Sequence, residues 1–354
     1  VKVINRYIAR EVLKGSFVAA LVLVTLVNFF TFSDELRALG KGRYSLAHIF
    51  EYLALLTPRN LYELIPSAAL LGTMFTVGAM GNNRELIAMR TAGVSLYRII
   101  WAVLRAGLVL VGVAVFVGEV IAPKAEQLAI ELKATAQYQQ VASWSHYGFW
   151  VRDGNTFVNI RRIVHRNELG DISIYEMDEH QRMHLARHAE KAVYADGEWR
   201  LEKIEETRFE PKRVTARSKS GMEWRSIIDP DLMNIALVNP NNLSIYELIT
   251  YIQFLRENDQ KSNRFEQAFW SRIINPLVTL VMLLIATPFV LNVQRSASVG
   301  QRIITGVVIG LSFILFERIF GHLGLVYDLP PLFAAAFPSA LFFIIALLAI
   351  RRLD

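Results

Sequence analysis

Six long apolar runs limit what this chain can fold into more than any other feature of it. They lie near Gly15–Phe32, Leu61–Met80, Ile99–Ala122, Ile273–Val293, Ile303–Val326 and Pro331–Ile350. Each holds roughly 18–24 mostly apolar residues, the length a helix needs to cross a hydrocarbon layer of about 30 Å. The first run is too long for the core of a signal peptide, and Asn28-Phe29-Phe30-Thr31-Phe32 offers no small-residue cleavage site, so it reads as a retained span. The runs stand three at each end of a 354-residue chain, with a charged stretch between them.

Basic residues set the expected orientation, because short cytoplasmic loops of membrane proteins collect Lys and Arg. With the N-terminus inside, the inner segments carry Lys2, Arg6, Arg10, Lys14, Arg84, Arg90, Arg98, Arg105, Arg295, Arg302, Arg351 and Arg352. The short outer loops carry only Arg37, Lys41, Arg43 and Arg59. Both termini are therefore expected in the cytoplasm. The excess of 38 Lys+Arg over 32 Asp+Glu belongs to this bias, and no basic patch with interleaved aromatics points to nucleic acid. At the start, Lys2, Arg6, Arg10 and Lys14 recur every four residues opposite Ile4, Tyr7, Ile8 and Val12. Such a helix can lie on an anionic membrane surface, or serve as a simple basic anchor.

Between the third and fourth spans, residues 143–238 read as a β-domain outside the cytoplasmic membrane. Phe157–Ile160, Ile172–Tyr175 and Trp199–Leu201 are short apolar or alternating pieces, and Asp153-Gly154, Leu169-Gly170-Asp171 and Asp196-Gly197 supply turn chemistry. Strands at this spacing predict a small antiparallel sandwich or jelly roll. Ser244 and Glu247 then form a capping box before the apolar stripe Ile245, Leu248, Ile249 and Ile252. The expected organisation is residues 1–142 with an N-terminal surface helix and spans 1–3, the β-domain at 143–238, and a connecting helix with spans 4–6 at 239–354.

Several constellations carry chemistry or mimic it. His180, His184 and His188 fall four apart, but residues four apart on a strand stand about 13 Å from each other, too far for one zinc ion. With no cysteine, disulfides and thiolate metal sites are excluded. Lys14-Gly15-Ser16 and Gly40-Lys41-Gly42 lack the rest of a phosphate loop, so ATP, if used, is hydrolysed by another chain. The segment 82–95 reads as a short inner-face helix capped by Asn82 or Asn83 and ended by Gly93. Glu85 sits in its first turn, and Leu86, Ile87, Met89 and Ala92 form an apolar side, with Arg90 beside them. It suits docking into a groove on a cytoplasmic partner, or a surface loop. At the outer end of the first span, Arg37 and Lys41 can meet phosphates, or can snorkel to the interface. In the fifth run, Gly306 and Gly310 allow close helix approach, while Glu317 and Arg318 face either protein and water or the outer interface.

The chain resembles the lipopolysaccharide-transport permease family of ATP-driven transporters, in its G-type subunit. The likeness rests on Tyr7-Ile8-Ala9-Arg10-Glu11-Val12-Leu13, on Arg84-Glu85-Leu86 with Ala92-Gly93, and on Pro123-Lys124-Ala125-Glu126-Gln127. It continues through Trp270-Ser271-Arg272-Ile273-Ile274-Asn275-Pro276 to Leu325-Val326-Tyr327-Asp328-Leu329-Pro330-Pro331. The resemblance implies a multi-pass inner-membrane helical protein with six transmembrane helices (3+3) and an inserted periplasmic all-β jellyroll-like domain. It implies an F-type permease partner, a cytoplasmic ATPase dimer that holds ATP and Mg, a single-span periplasmic jellyroll protein, and lipopolysaccharide as cargo. No cofactor and no catalytic residue is then expected in this chain. The cargo would enter laterally between spans one and five of opposing subunits. By the same likeness, Glu85 in the 82–95 coupling helix contacts the ATPase, and Arg37, Lys41 and Lys133 engage the cargo's phosphates. The rival classes are a periplasmic sensor and a membrane scaffold. A sensor lacks an output, since the cytoplasmic parts are short loops and tails. Against a scaffold stand the basic outer mouth and the closely packed fifth span.

Overall fold

The computed structural model describes residues 2–137, 149–165, 167–178, 180, 182–195, 197–210, 213–224, 239–292 and 299–352. Among them, six helices are long and apolar enough to cross a membrane: Val3–Ala38, Leu46–Asn82, Leu96–Ala136, Asn263–Phe289, Gly300–Val326 and Pro331–Arg351. The six apolar runs fall on these six helices, apart from Val293, which lies outside the described residues. In a layer without water, a helix is the element that satisfies its own backbone, so long apolar runs leave no other choice.

In chain order the helices are α1 (Lys2–Glu35), α2 (Leu46–Asn82), α3 (Glu85–Thr91), α4 (Leu96–Phe116), α5 (Ala122–Ala136), α6 (Ile245–Glu257), α7 (Asn263–Asn292), α8 (Val299–Val326) and α9 (Pro331–Arg351). A π-helical turn at Val117–Ile121 joins α4 to α5. The strands are β1 (Phe149–Asp153), β2 (Thr156–His165), β3 (Glu168–Met177), β4 (Met183–Ala195), β5 (Glu198–Glu210) and β6 (Arg213–Trp224). Contacts divide the chain into two compact units, residues 1–37, 50–127 and 263–354, and residues 38–49 and 128–262.

The first unit is helical, and α2 is its middle. In the most apolar stretch of α2, 67% of the residues are buried inside the protein, against 11% in α1 and 17% in α8. One cluster holds the unit together, with Ile8 and Val12 of α1, Leu70, Met74 and Val77 of α2, Leu86 of α3, Ile99 and Val103 of α4, Met282 and Leu283 of α7, and Phe313 of α8. Helix packing inside a membrane gains nothing from expelling water, so close backbone approach matters more. It occurs where α1 crosses α2, since a methyl group added at Gly72 would stand 2.3 Å from the Ser16 nitrogen. The N-terminal basic helix is continuous with the first span in one 34-residue helix. Ile8 and Val12 of its apolar stripe are fully covered by protein, so that stripe packs inward and is not the face of a separate surface helix.

The second unit carries the sheet, six antiparallel strands in the order β1-β2-β3-β4-β5-β6. Among the described strands every sequence neighbour is a spatial neighbour, so the connectivity is a meander and not the crossed order of a Greek key. Short hairpins explain this, as Gly154 and Gly197 sit at φ 57° and 88° in tight loops that return the chain beside itself. The buried face alternates through Ile172 and Ile174 of β3 and through Trp199 and Leu201 of β5. Leu169-Gly170-Asp171, expected to be a turn, lies inside β3. Asp171 has φ 56°, yet the ladder keeps its register across it, with Gly170 opposite Lys191 and Ile172 opposite Ala189, so the turn chemistry is taken up as one left-handed residue inside a strand. Ahead of α6 the capping box forms as its residues predict, with the Ser244 side chain accepting from the Glu247 amide and Glu247 accepting from the Ser244 amide.

Candidate functional site

The segment 82–95 holds a short helix, α3, whose start differs from the expected one. Asn82 closes α2, and the residue before α3 is Arg84, held in the left-handed region at φ 60° with no side-chain cap. Gly93 ends the helix as expected, with φ 85° and its amide donating to the Arg90 carbonyl at 3.0 Å. The apolar side is split. Leu86 is buried in the helical core and Met89 packs against it, while Ile87 is 45% exposed and Arg90 is exposed beside it. Glu85 is already engaged within the chain: the Tyr7 hydroxyl donates to its Oε2 at 3.0 Å, and Asn83 Nδ2 donates to its Oε1 at 3.4 Å.

Elsewhere in the helical unit, α1, α2 and α4 form a half-open groove of about 540 Å³. Phe17, Leu21, Leu61, Ile65, Val109 and Val113 line it, with Ser16, Thr25 and Thr57 as polar members. The Thr25 and Thr57 hydroxyls donate to the Leu21 and Leu53 carbonyls one turn back, both at 2.8 Å. The Thr57 hydroxyl also accepts from Asn28 Nδ2 at 3.0 Å, which leaves the groove wall mostly apolar. A site of this kind binds hydrocarbon and offers no chemistry to a charged ligand.

On α8, Gly306 meets α2 closely: an added methyl group would stand 2.7 Å from Leu71 Cδ2 and 2.8 Å from Met74 Sδ. Gly310 has more room, at 3.7 Å from Leu70 Cδ2. Glu317 is half-buried and Arg318 is exposed. The three expected phosphate cations divide between the units. Arg37 lies in the 3-10 turn Leu36–Ala38 after α1 and is exposed, and it belongs to the helical unit. Lys41 and Lys133 belong to the other, where the turn bearing Lys41 is fastened to the end of α5 by the Arg43 amide, which donates to the Ala136 carbonyl at 2.7 Å. Lys41 is exposed and Lys133 half-buried. In the sheet, His184 and His188 lie on β4 near Glu176 and Asp171, at 3.6 and 3.7 Å, and His180 lies in the turn before it.

Sequence reading missed a charged group among the spans. Arg272 of α7 is 5% exposed, and its Nε donates to Glu119 Oε1 at 2.8 Å. Its Nη2 donates to the Gly118 carbonyl at 2.5 Å, and its guanidinium lies 5.5 Å from the centre of the Tyr62 ring. Gly118 and Glu119 sit in the π-helical turn, whose wider winding frees a carbonyl for an outside donor. The available signal was one acid and one base at the edges of separate apolar runs, since charges there face each other rather than lipid.

The profile of the family described as "Lipopolysaccharide export system permease LptF/LptG" matches residues 6–352. The lipopolysaccharide export system permease protein LptG of Escherichia coli (strain K12) is 33% identical over 354 residues, covering 99% of this chain and 98% of that protein. The protein of the same name from Haemophilus influenzae (strain ATCC 51907 / DSM 11121 / KW20 / Rd) is 32% identical over 346 residues, 97% of each.

Proposed function

Because the chain belongs to the lipopolysaccharide export permease LptF/LptG family, we propose that it is the G-type permease subunit of an ATP-driven exporter in the inner membrane. In this reading it extracts lipopolysaccharide from the outer leaflet and passes it to a periplasmic bridge of jelly-roll domains. An F-type permease completes the membrane pair, a single-span jellyroll protein receives the cargo, and a cytoplasmic ATPase dimer that binds ATP and Mg supplies the energy. Both termini lie in the cytoplasm and the sheet in the periplasm, in keeping with the distribution of Lys and Arg.

The observation that carries this reading is the apolar groove among α1, α2 and α4, one wall of which is the helix that leads into the turn bearing Arg37. A lipid with several acyl chains binds such walls, and its phosphates require cations only at the rim. Moving each CH₂ out of an apolar setting costs about 0.8 kcal/mol, so extraction of a multi-chain lipid requires an external energy source. Arg37 supplies a bidentate donor for phosphate, and Lys41 and Lys133 supply point charges. The exposed side of α3, with Ile87 and Arg90, faces the ATPase, and Glu85 in its first turn contacts it. Gly306 and Gly310 let α8 slide close to α2, and Glu317 and Arg318 lie along the same gate helix.

The test places photoreactive amino acids at positions 21 and 41 in cells that make the full exporter. An adduct with lipopolysaccharide at both positions, dependent on ATP hydrolysis, is expected. Adducts with ordinary phospholipid alone, from an intact complex, would overturn the cargo assignment.

A further inference from the structure

Hydrogen bonds tie the first residue of α3 to α1, and the last residue of α2, two residues before α3, to α8. On one side the Tyr7 hydroxyl of α1 donates to Glu85 Oε2 at 3.0 Å. On the other, Arg302 Nη2 of α8 donates to Asn82 Oδ1 at 2.8 Å, and only Asn83 and Arg84 separate Asn82 from α3. Arg302 is 8% exposed and fits against Gly78, where a methyl group would stand 2.6 Å from its Nη1. A guanidinium held this way has a fixed position, which makes the contact specific. Leu86 and Met89 of α3 share the core cluster with Ile8, Val12 and Met80, so packing reinforces the same joint.

The helices at the far ends of these two bonds differ from the rest. Proline interrupts α2 at positions 58 and 66, α7 at 276 and 288, and α9 at 338, while a π-helical turn separates α4 from α5. Each of these is a feature that lets a helix bend. Neither α1 nor α8 contains proline. They are also the two large helices least covered by the rest of the chain, so they displace the fewest neighbours when they move.

We propose that Tyr7 and Arg302 are positioning residues that transmit displacement of α3 to spans one and five together. This rests on the coupling role given to α3 above and deepens it. Glu85 then acts inside the chain as well as at the partner's surface: a push on α3 draws α1 through Tyr7 and α8 through Asn82 and Arg302. Two unbroken helices carry the movement across the membrane to the walls where lipid enters.

The test uses the full exporter reconstituted in proteoliposomes containing lipopolysaccharide, and reads lipid released per ATP hydrolysed. Tyr7→Phe removes one donor, Arg302→Gln the other, and Asn82→Ala, at an exposed position, removes the acceptor without touching the buried arginine. Each is expected to lower release per ATP about tenfold while hydrolysis continues, as loss of a hydrogen bond to a charged group requires. Arg302→Lys, which keeps a charged donor, is expected to restore most of the coupling. Tyr7→Phe combined with Glu85→Ala is expected to be no worse than Glu85→Ala alone, because both remove the same contact. Parent-like coupling in Tyr7→Phe and Asn82→Ala, with Glu85→Ala still defective, would overturn the proposal and leave the coupling role of α3 standing. Parent-like coupling in Glu85→Ala as well would remove the role of α3 itself.

Discussion

Arg272 is a charge taken almost wholly out of solvent, with a carboxylate, a backbone carbonyl and an aromatic ring as its surroundings. A buried ion is tolerable only when each of its donors is answered, and here the answering groups come from α2 and the π-helical turn after α4. Removing the guanidinium takes from the partly buried Glu119 carboxylate its opposite charge. We expect Arg272→Met to lower the stability of the purified protein by about 3–5 kcal/mol, and Arg272→Met with Glu119→Gln to recover much of that loss. Thermal unfolding in one fixed detergent measures both. Equal stability of the single variant and the parent would show that the pair contributes nothing. Gly72 and Gly118 make the complementary point: a methyl group at either would stand 2.3 or 2.5 Å from Ser16 or Tyr62, so these glycines set how near α1 and the π-helical turn come to α2.

Within the sheet, β4, β5 and β6 are joined by a ladder of charge as well as by backbone pairing. Glu206 Oε2 accepts from Arg187 Nε and from Lys219 Nζ, each at 3.1 Å, and Arg187 also pairs with Glu176. Burial alone raises the Glu206 pKa, but the hydrogen bonds from Arg187 and Lys219 outweigh it and leave the carboxyl below its ordinary range. A carboxyl depressed in the folded state stabilises the fold fully above its ordinary pKa, and that contribution is lost as pH falls through the folded value. Glu206→Gln is therefore expected to be less stable than the parent at neutral pH, with the difference closing on acidification. Fluorescence of Trp199, with the other tryptophans replaced by phenylalanine, reports unfolding of this sheet. A stability difference unchanged between neutral and acid pH would remove the electrostatic account.

At the scale of the whole chain, the least covered spans are the first and the fifth, with Phe17 70%, Phe29 64%, Ile304 66% and Leu315 60% exposed. A partner permease seated against spans one and five would cover these faces. The chain has no cysteine, so single cysteines can be placed without interference. We expect cysteines at Phe29 and Leu315 to crosslink to facing cysteines on the partner permease. A cysteine at Leu70, which is fully buried, is expected to give no crosslink. Crosslinking confined to other helices would require a different pair of gate spans.

The six spans, the β-domain between them, the capping box at Ser244 and the end of α3 at Gly93 were legible in the sequence, because length, alternation and capping depend on residues close together in the chain. Arg37, Lys41, Lys133 and Glu85 were singled out by residue type and family resemblance, and the fold adds only where they lie, with Arg37 and Glu85 in the helical unit and Lys41 and Lys133 in the other. The place of Asp171 inside β3 was not legible, because a residue that favours positive φ serves a turn and a single left-handed position in a strand equally well, and only the pairing of β3 with β2 and β4 separates the two. The partners of Glu85, Arg272 and Arg302 lie 78, 153 and 220 residues away in the chain. No local pattern encodes such meetings. The sequence by itself determined which segments can enter a membrane, because that depends on the transfer of side chains one helix at a time. Which helices touch, which charges meet and which face stays open were decided only by tertiary packing, where each contact depends on the shape of every other.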